Sequence, residues 1–591
     1  MDRDKSTVAV RDYPPGCCRL PSQGQLTATR RNRTDYSRAQ GRENGAKMQL
    51  NRPIIDVPMN FEASLNDEAQ PNDLDSELYR QRRKRYADLL HFYQQLQEKG
   101  ESNERIRPDL EATKKMQEEK MNFDWKGVGH VPGSIVGDFF FYRTELFVLG
   151  LHRAMQAGIA YTEVGQEKIG CSIVASGGYE DDEDHGETMI YTGHGGNNKA
   201  DRRQVKDQKP EGGNLALLNS LKYKQPVRVI RGHSDIPTSQ SPSKKIYSYD
   251  GLYQVVDQSL ELGASGFKVF KFKLERLPNQ RELGSRLVSF VGKLNKAPSI
   301  RTGVVIEDLS GGQEPIPVSV VNTVDDTRPP SSFEYTTKLR YPKGVSLRSS
   351  TGCSCKGDSC HSVGHRCSCV LKNSGKMLPY NQYGHLIRAV PAVYECGSRC
   401  KCSLECHNRV CQKGLRYRLE IFKTEKKGWA VRSWDFIPSG GFVCEYTGVI
   451  MDTKTADELD DDDYLFNLDF KQGNEARWGV QRSDVFDSDD SDMPPLKLSS
   501  PKYVIDASKF GGVARFVNHS CTPNLFVQCV LYDHGDLDLP HVMLFAGSDI
   551  SPFQELTYDY GYALNSVYDS HGNLKKKDCH CGTRSCRKRL Y

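Results

Sequence analysis

Long apolar runs are missing from this 591-residue sequence, and cysteine is scarce in its first 352 residues. No stretch approaches the ~20 apolar residues that span a bilayer, so a membrane protein is not expected. The N-terminus, MDRDKSTVAVRDYPPGCCRLP, lacks the apolar core of a secretory signal. The chain is therefore expected in a reducing compartment, and the sequons at Asn32 and Asn518 read as chance. A dominant charge is also absent. Lys and Arg number 81 against 76 Asp and Glu, a net +5 that alone does not announce a nucleic-acid binder. Length predicts about three or four domains.

Cysteine, scarce at first, then crowds. Nine of the 19 fall at Cys353, Cys355, Cys360, Cys367, Cys369, Cys396, Cys400, Cys402 and Cys406. The stretch CSCKGDSCHSVGHRCSC has almost no apolar residues, so packing does not explain its thiols. In a reducing compartment clustered cysteines favour metal over disulfides. Nine thiolates fit three four-coordinate zincs if six bind one metal each and three bridge two. The C-terminal CHCGTRSC adds Cys579, Cys581 and Cys586, with Cys521 of NHSC as the natural fourth ligand if the tail folds back. His580 could compete, but between two ligating cysteines its side chain is expected to point away. About four zincs per chain follow. Cys17, Cys18, Cys171, Cys411, Cys444 and Cys529 have no ligand spacing.

Along the chain, residues 1–77 are polar and aperiodic and read as a disordered arm. Residues 78–125 open with LYRQRRKRYADLLHFYQQLQ, which puts Tyr86, Leu89, Leu90, Tyr93 and Leu96 on one helical face. The run Arg80–Arg85 is either a nuclear import signal or the solvated flank of that helix. Short β-rich segments between Gly-rich turns over 126–275 predict a compact β domain. Residues 276–350 read as a linker, wrapped on its neighbours or partly flexible. The cysteine block, 351–412, is followed by a strand-rich region over 413–562, interrupted by the acidic SDVFDSDDSDMPP, and by the tail at 575–591.

KKGWAVRS, CEYTG, DDYLFNLD, ARFVNHSCTPN and ELTYDYG occur in this order between the two cysteine sets. The whole resembles a pre-SET zinc module, a SET domain and a post-SET. VGDFFFYRTEL, SGGYEDDEDHG, IYTGHGG, GNLAL, VRVIRG and YDGLY resemble the SRA, or YDG, domain. The combination resembles the plant suppressor-of-variegation homologues, nuclear histone H3 lysine-9 methyltransferases. The resemblance implies a multidomain, β-rich α+β chain: a barrel-like SRA domain, a pre-SET zinc cluster, a knotted β-sheet SET domain and a zinc-binding post-SET. It further implies S-adenosylmethionine as cofactor, the histone H3 tail and 5-methylcytosine DNA as partners, and heterochromatin in the nucleus as location.

By the same resemblance, Tyr560 is the catalytic tyrosine closing the lysine channel and Tyr464 its partner. Lys427, Gly428 and Trp429, with Arg515, Asn518 and His519, form the cofactor pocket. Tyr558 occupies the position where Phe accompanies trimethylation and Tyr fewer methyls, so mono- and dimethyl-lysine are the expected products. In the SRA domain Tyr179 and Tyr191 are implied to stack on a flipped base, Asp182 to meet its edge, and Gln156 to fill the gap it leaves; the alternative is that the two tyrosines are core aromatics. NNKADRRQVK could meet phosphates. KPEGGNLAL departs from the pattern, where an acidic-basic pair precedes GN, which leaves that loop open.

A second reading keeps the SRA domain as a methyl-DNA reader with an inactive SET domain as scaffold. The intact Tyr464, Asn518, His519, Tyr560 and tail cysteines favour the enzyme. A DNA-modifying enzyme has little support, since neither a Pro-Cys nucleophile nor a deaminase signature is present.

Overall fold

A computed structural model describes residues 73–99, 107–176, 181–198, 204–234, 245–296, 302–330, 332–357, 360, 367–373, 378–387, 390, 392–459, 463–468, 502–567, 573–583 and 585–591. The expected arm up to residue 72, residues 199–203 of NNKADRRQVK and the acidic insertion lie outside them.

The amphipathic stretch forms helix α1 (Asp73–Lys99), which starts five residues before the expected boundary at 78. Its apolar face buries Tyr79, Tyr86, Leu89 and Leu90, while Tyr93 and Leu96 are half-buried. Helix α2 (Pro108–Glu118) follows. Pro108 starts it because a missing N–H costs nothing in the first turn, and Asp109 and Glu111 suit the positive end of its dipole.

The β-rich region forms one curved sheet of β1 (Phe139–Phe140), β2 (Ile159–Val164), β3 (Glu167–Ala175), β4 (Glu183–Asp184), β5 (Thr188–Thr192), β6 (Pro226–His233), β7 (Ile246–Leu262) and β8 (Lys268–Arg276). The order is β2-β3-β6-β7-β8-β5-β4, with β1 on β7. Helix α3 (Arg143–Val148) follows β1, and α4 (Gly212–Lys222) lies on β3. Gly170 permits that contact: a Cβ there would sit 2.9 Å from Leu217 Cδ2. The YDG triplet is a core fixture. Tyr249 and Asp250 are fully buried, Gly251 has a φ of +98°, and Asp250 Oδ2 accepts from Arg231 Nη1 at 2.6 Å. Arg231 also forks onto Asp184, so two carboxylates neutralise one buried guanidinium.

Residues 276–350 are ordered over most of their length. Helix α5 (Gly284–Lys296) buries Leu287, Val288, Phe290 and Val291. Next come β9 (Val304–Ile306), β10 (Ser319–Val321) and β11 (Glu334–Tyr335). The C-terminal half adds β12 (Ala392–Tyr394), β13 (Leu419–Lys423), β14 (Trp429–Ser433), β15 (Phe442–Glu445), β16 (Val449–Asp452), β17 (Leu465–Asn467), β18 (Tyr503–Asp506), β19 (Phe510–Gly511), β20 (Asn518–His519), β21 (Leu525–Leu531), β22 (His541–Ala546) and β23 (Glu555–Tyr558). They form small sheets ordered β20-β23-β14-β13-β10-β9, β12-β21-β22-β15, β16-β18-β17 and β11-β19. β10 runs parallel to β13, pairing Ser319 with Glu420 across the whole cysteine block.

One apolar cluster joins the halves, packing Phe139, Phe141, Leu287 and Phe290 with Phe436 and Phe553. Phe139 meets Phe436 edge-on at 4.8 Å, and Phe290 meets Phe553 at 5.5 Å. Arg83 of α1 completes the seam, donating to the Phe139 carbonyl and pairing with Glu145 and Asp549. Among the described residues no helix is long and apolar enough to cross a membrane.

Candidate active site

The parallel pairing of β20 with β23 sets Asn518 opposite Thr557 and His519 opposite Tyr558. This register brings NHSC and ELTYDYG, far apart in sequence, into one site. Tyr560 N–H donates to His519 Nδ1 at 3.2 Å, and its hydroxyl donates to the Val517 carbonyl at 3.1 Å. The Tyr558 and Tyr560 rings are 4.8 Å apart, and Phe466 of β17 lies 6.3 Å from Tyr558. These rings line a cavity of about 710 Å³. Tyr464 is buried beside it. Its carbonyl accepts from Tyr446 Oη at 2.9 Å, and its ring covers the Arg515 guanidinium at 4.3 Å. Arg515 itself is buried and donates through Nε to the Ala507 carbonyl. It is thus placed as the platform under Tyr464.

The turn joining β13 to β14 is the second half of the site. Gly428 takes a φ of +72°, which only glycine adopts without strain. Thr424 N–H and Oγ1 both donate to its carbonyl, and Lys427 N–H donates to Thr424 Oγ1. Lys427 Nζ pairs with Glu555 Oε2, while Asn518 Nδ2 donates to Glu555 Oε1 and to the Trp429 carbonyl. Glu555 is therefore the hub that holds Lys427, Trp429 and Asn518 together. Sequence reasoning missed it, although it opens the ELTYDYG motif. Phe466 and Tyr446 were also missed; they lie in the quoted YLF and CEYTG segments. The fit to a polar cofactor shows in Trp429, whose buried indole Nε1 has no hydrogen-bond partner, next to the backbone turn and the Asn518 amide.

All nine clustered cysteines share one small core with Val370 and Leu378. Sγ atoms of Cys353 and Cys360, Cys360 and Cys396, Cys369 and Cys400, and Cys406 and Cys360 lie 3.6, 3.5, 3.6 and 3.7 Å apart. Tetrahedral zinc with 2.3 Å bonds needs edges of about 3.8 Å. Three quartets suit a metal, namely Cys353/Cys360/Cys396/Cys402, Cys353/Cys369/Cys396/Cys400 and Cys353/Cys355/Cys360/Cys367. Cys360 and Cys396 each recur in two of them and Cys353 in all three, so thiolates are shared, while Cys406, 3.7 Å from Cys360, belongs to none; the expected division of nine into six single and three bridging ligands is not reproduced. Cys521, Cys579, Cys581 and Cys586 form a fourth quartet. It abuts the tyrosine site, because Cys521 Sγ lies 3.5 Å from His519 Nε2. Lys577–Asp463 and Arg587–Asp559 ion pairs also hold the tail on the SET residues.

In the N-terminal domain, Asp182 Oδ1 accepts from Thr192 N–H at 2.8 Å, and burial raises its carboxyl pKa. Tyr191 is buried in the sheet core. Its hydroxyl would lie 2.4 Å from a Cβ on Gly158, so glycine is needed there. Gln156 is exposed two residues before that contact. Tyr179 lies outside the described residues.

Family models match at three places: the SAD/SRA domain over 127–280, the pre-SET motif over 310–409 and the SET domain over 428–561. The chain is 43% identical over 511 residues to the Arabidopsis thaliana histone-lysine N-methyltransferase, H3 lysine-9 specific SUVH4, covering 82% of this chain and 80% of that one. To Arabidopsis SUVH6, also H3 lysine-9 specific, it is 43% identical over 78% of this chain and 58% of that one. Two solved structures are similar along 88% of this chain and 100% of their own, both at 39% identity. They are KRYPTONITE in complex with mCHH DNA, H3(1-15) peptide and SAH, at a TM-score of 0.72, and Arabidopsis SUVH6 in complex with SAM, at 0.74.

Proposed function

Because the chain belongs to the family of H3 lysine-9-specific histone-lysine N-methyltransferases that join an SRA to a SET domain, we propose that it methylates lysine 9 of histone H3. In this reading the SRA domain recruits it to methylated cytosine in nuclear heterochromatin. The observation that supports the reading best is the meeting of Tyr558, Tyr560, Phe466 and Cys521, a member of the tail quartet, in the lining of one cavity.

S-adenosylmethionine, when bound, supplies an electrophilic methyl group on a sulfonium. The residues that would hold it are Lys427, Gly428 and Trp429 on the turn, with Tyr464, Asn518 and His519. Everything else falls to the chain. A free lysine amine has a pKa of ~10.4, so near neutral pH about 0.1% is the neutral nucleophile, a cost of roughly 4 kcal/mol. A passage walled by tyrosine and phenylalanine disfavours the charged amine by desolvation. Tyr560, fixed through its own N–H and hydroxyl to His519 and Val517, keeps a rigid ring against the amine without adding negative charge. Tyr558 restricts rotation of the methylated amine. Zinc at Cys521, Cys579, Cys581 and Cys586 would hold the tail that closes this wall. Among the described residues β17 pairs only with β18. Its other edge, beside the cavity, is suited to accept the extended histone tail as an added strand.

The SRA reading rests on Asp182, Gln156 and Tyr191, with Tyr179 as the second stacking face. Tyr191 is so tightly packed that its loss would disturb the fold, so Tyr179→Ala is the cleaner probe. It should remove the preference for methylated duplex and leave weak, salt-sensitive binding.

The deciding experiment incubates the purified chain with cofactor and H3 peptides, native or substituted at lysine 9. Methylation of the native peptide alone is expected. Binding to methylated DNA without any transfer would favour the scaffold reading instead.

A further inference from the structure

Gln156 stands on the connection between α3 and β2, at a tip where Met155, Gln156 and Ala157 are all exposed. The base of that tip is held from inside the domain. His152, only 1% exposed, has Nε2 2.8 Å from the Ala157 carbonyl and Nδ1 2.8 Å from Ser172 Oγ. A carbonyl only accepts, so Nε2 carries the hydrogen, and in the neutral ring Nδ1 accepts from the Ser172 hydroxyl. Burial, against the pull of the Ala157 hydrogen bond and aided by Arg143 and Arg228, pushes the His152 pKa down to about 3, so the ring stays neutral. Arg143, the first residue of α3, donates through Nη2 to the same Ala157 carbonyl. Two donors thus occupy both lone pairs of one acceptor. At the next residue, the Gly158 carbonyl accepts from Val174 N–H at 2.8 Å, and the missing side chain leaves room for Tyr191 Oη.

We propose that His152 and Arg143 are positioning residues for the reading of methylated DNA: by clamping the Ala157 carbonyl they hold Gln156 ready to enter the duplex beside a base drawn toward Tyr191. The proposal rests on the reading of Gln156 as the side chain that fills the gap, and it adds two groups that act through it. A loop that is already fixed loses less freedom when its side chain is inserted, so the clamp favours the flipped arrangement. Attraction to phosphates does not depend on the shape of this tip. The clamp therefore governs discrimination and base extrusion and leaves sequence-independent affinity alone. Ser172, fully buried on β3, completes it by keeping the imidazole from turning Nε2 off its target.

The test uses the full chain and duplexes with or without 5-methylcytosine, carrying 2-aminopurine next to the target base as a reporter of lost stacking. The wild type should prefer the methylated duplex and brighten the probe. His152→Leu and Arg143→Met should each cut the preference about tenfold, the worth of one buried hydrogen bond, and dim the probe with it. Affinity for the unmethylated duplex should stay within about twofold, since phosphates set it. His152→Gln keeps an N–H that can reach the Ala157 carbonyl and should retain most of the preference. In a Gln156→Ala background both losses should disappear, because groups acting through one side chain are not additive with its removal. Arg143 is half-buried, so Arg143→Met decides the matter if His152→Leu does not fold. Losses that persist in Gln156→Ala, losses that fall equally on both duplexes, or an unchanged preference in both variants overturn the clamp. A Gln156→Ala chain that discriminates and brightens like the wild type overturns the reading of Gln156 and the clamp with it. A wild type with no preference for the methylated duplex overturns the SRA reading itself.

Discussion

Tyr558, buried, and Tyr560, half-buried, are two residues apart with rings 4.8 Å from each other, and should fail differently. Tyr558→Phe removes a hydroxyl that can hold the amine or a water in the volume a third methyl needs. One or two hydrogen bonds of ~1 kcal/mol shift a rate by about an order of magnitude. The wild type is expected to stop at mono- and dimethyl-lysine, and Tyr558→Phe to accumulate trimethyl-lysine, read by mass spectrometry of peptides at long times. Tyr560→Phe should lose most transfer of every kind. Glu555 makes a different prediction, because it touches Lys427 and Asn518 and lies outside the tyrosine pocket. Glu555→Gln should raise the KM for the cofactor about tenfold, the worth of one charge-assisted contact of roughly 1.5 kcal/mol, with the product distribution unchanged. The tyrosines were legible in the sequence because they sit inside a motif. Glu555 opens the same motif, but its role was not legible, since that comes from a meeting with a turn 128 residues earlier that no local spacing encodes.

At the scale of elements, local pattern placed α1 and the β-rich character of 126–275, but not α3 or α4 within that region, nor α5 in the stretch read as a linker. The period of α1 and the Gly-punctuated β segments carry their own evidence. The region 276–350 was less legible, because β9, β10 and β11 are two or three residues long and owe their existence to partners elsewhere in the chain. β22 offers a pH test. His541 on this strand is buried between Glu445, 2.7 Å from Nδ1, and Asp533, 3.0 Å from Nε2. Burial pushes its pKa down, but the two carboxylates outweigh that and hold it at about 10. A folded pKa above the unfolded one gives stability that is complete below pH ~6.5 and is lost as pH rises through the folded value. Thermal unfolding should therefore weaken between about pH 6.5 and 10, by at most ~1.4 kcal/mol per pH unit for one proton. His541→Gln should flatten that slope while lowering stability at neutral pH. Asp533, His534 and His541 also lie close enough to hold an ion, yet both His541 nitrogens already face carboxylates.

The two halves of the molecule are joined by one apolar cluster and by polar contacts of α1. Phe436→Ala removes the edge-on partner of Phe139 and should cost about 3–5 kcal/mol, loosening the SRA domain from the SET domain. Limited proteolysis should then separate the two more readily, while peptide methylation without DNA persists. Metal is the larger dependency. Native mass spectrometry should count about four zincs, and chelation should abolish transfer together with the cooperative melt of the C-terminal half. Two zincs or fewer would refute the cysteine assignments. The parallel pairing of β10 with β13 gives that dependency a second meaning. Ser319 and Glu420 meet across 101 residues of sequence, and the nine clustered cysteines lie entirely inside that span. Closing so long a flexible loop costs roughly 4 kcal/mol of chain entropy, a cost met before the contact itself gives any return. A metal cluster that has already gathered the intervening chain shortens the search. Zinc should thus speed refolding as well as stabilise its product, and the six-stranded sheet should assemble slowly whenever the metal arrives late.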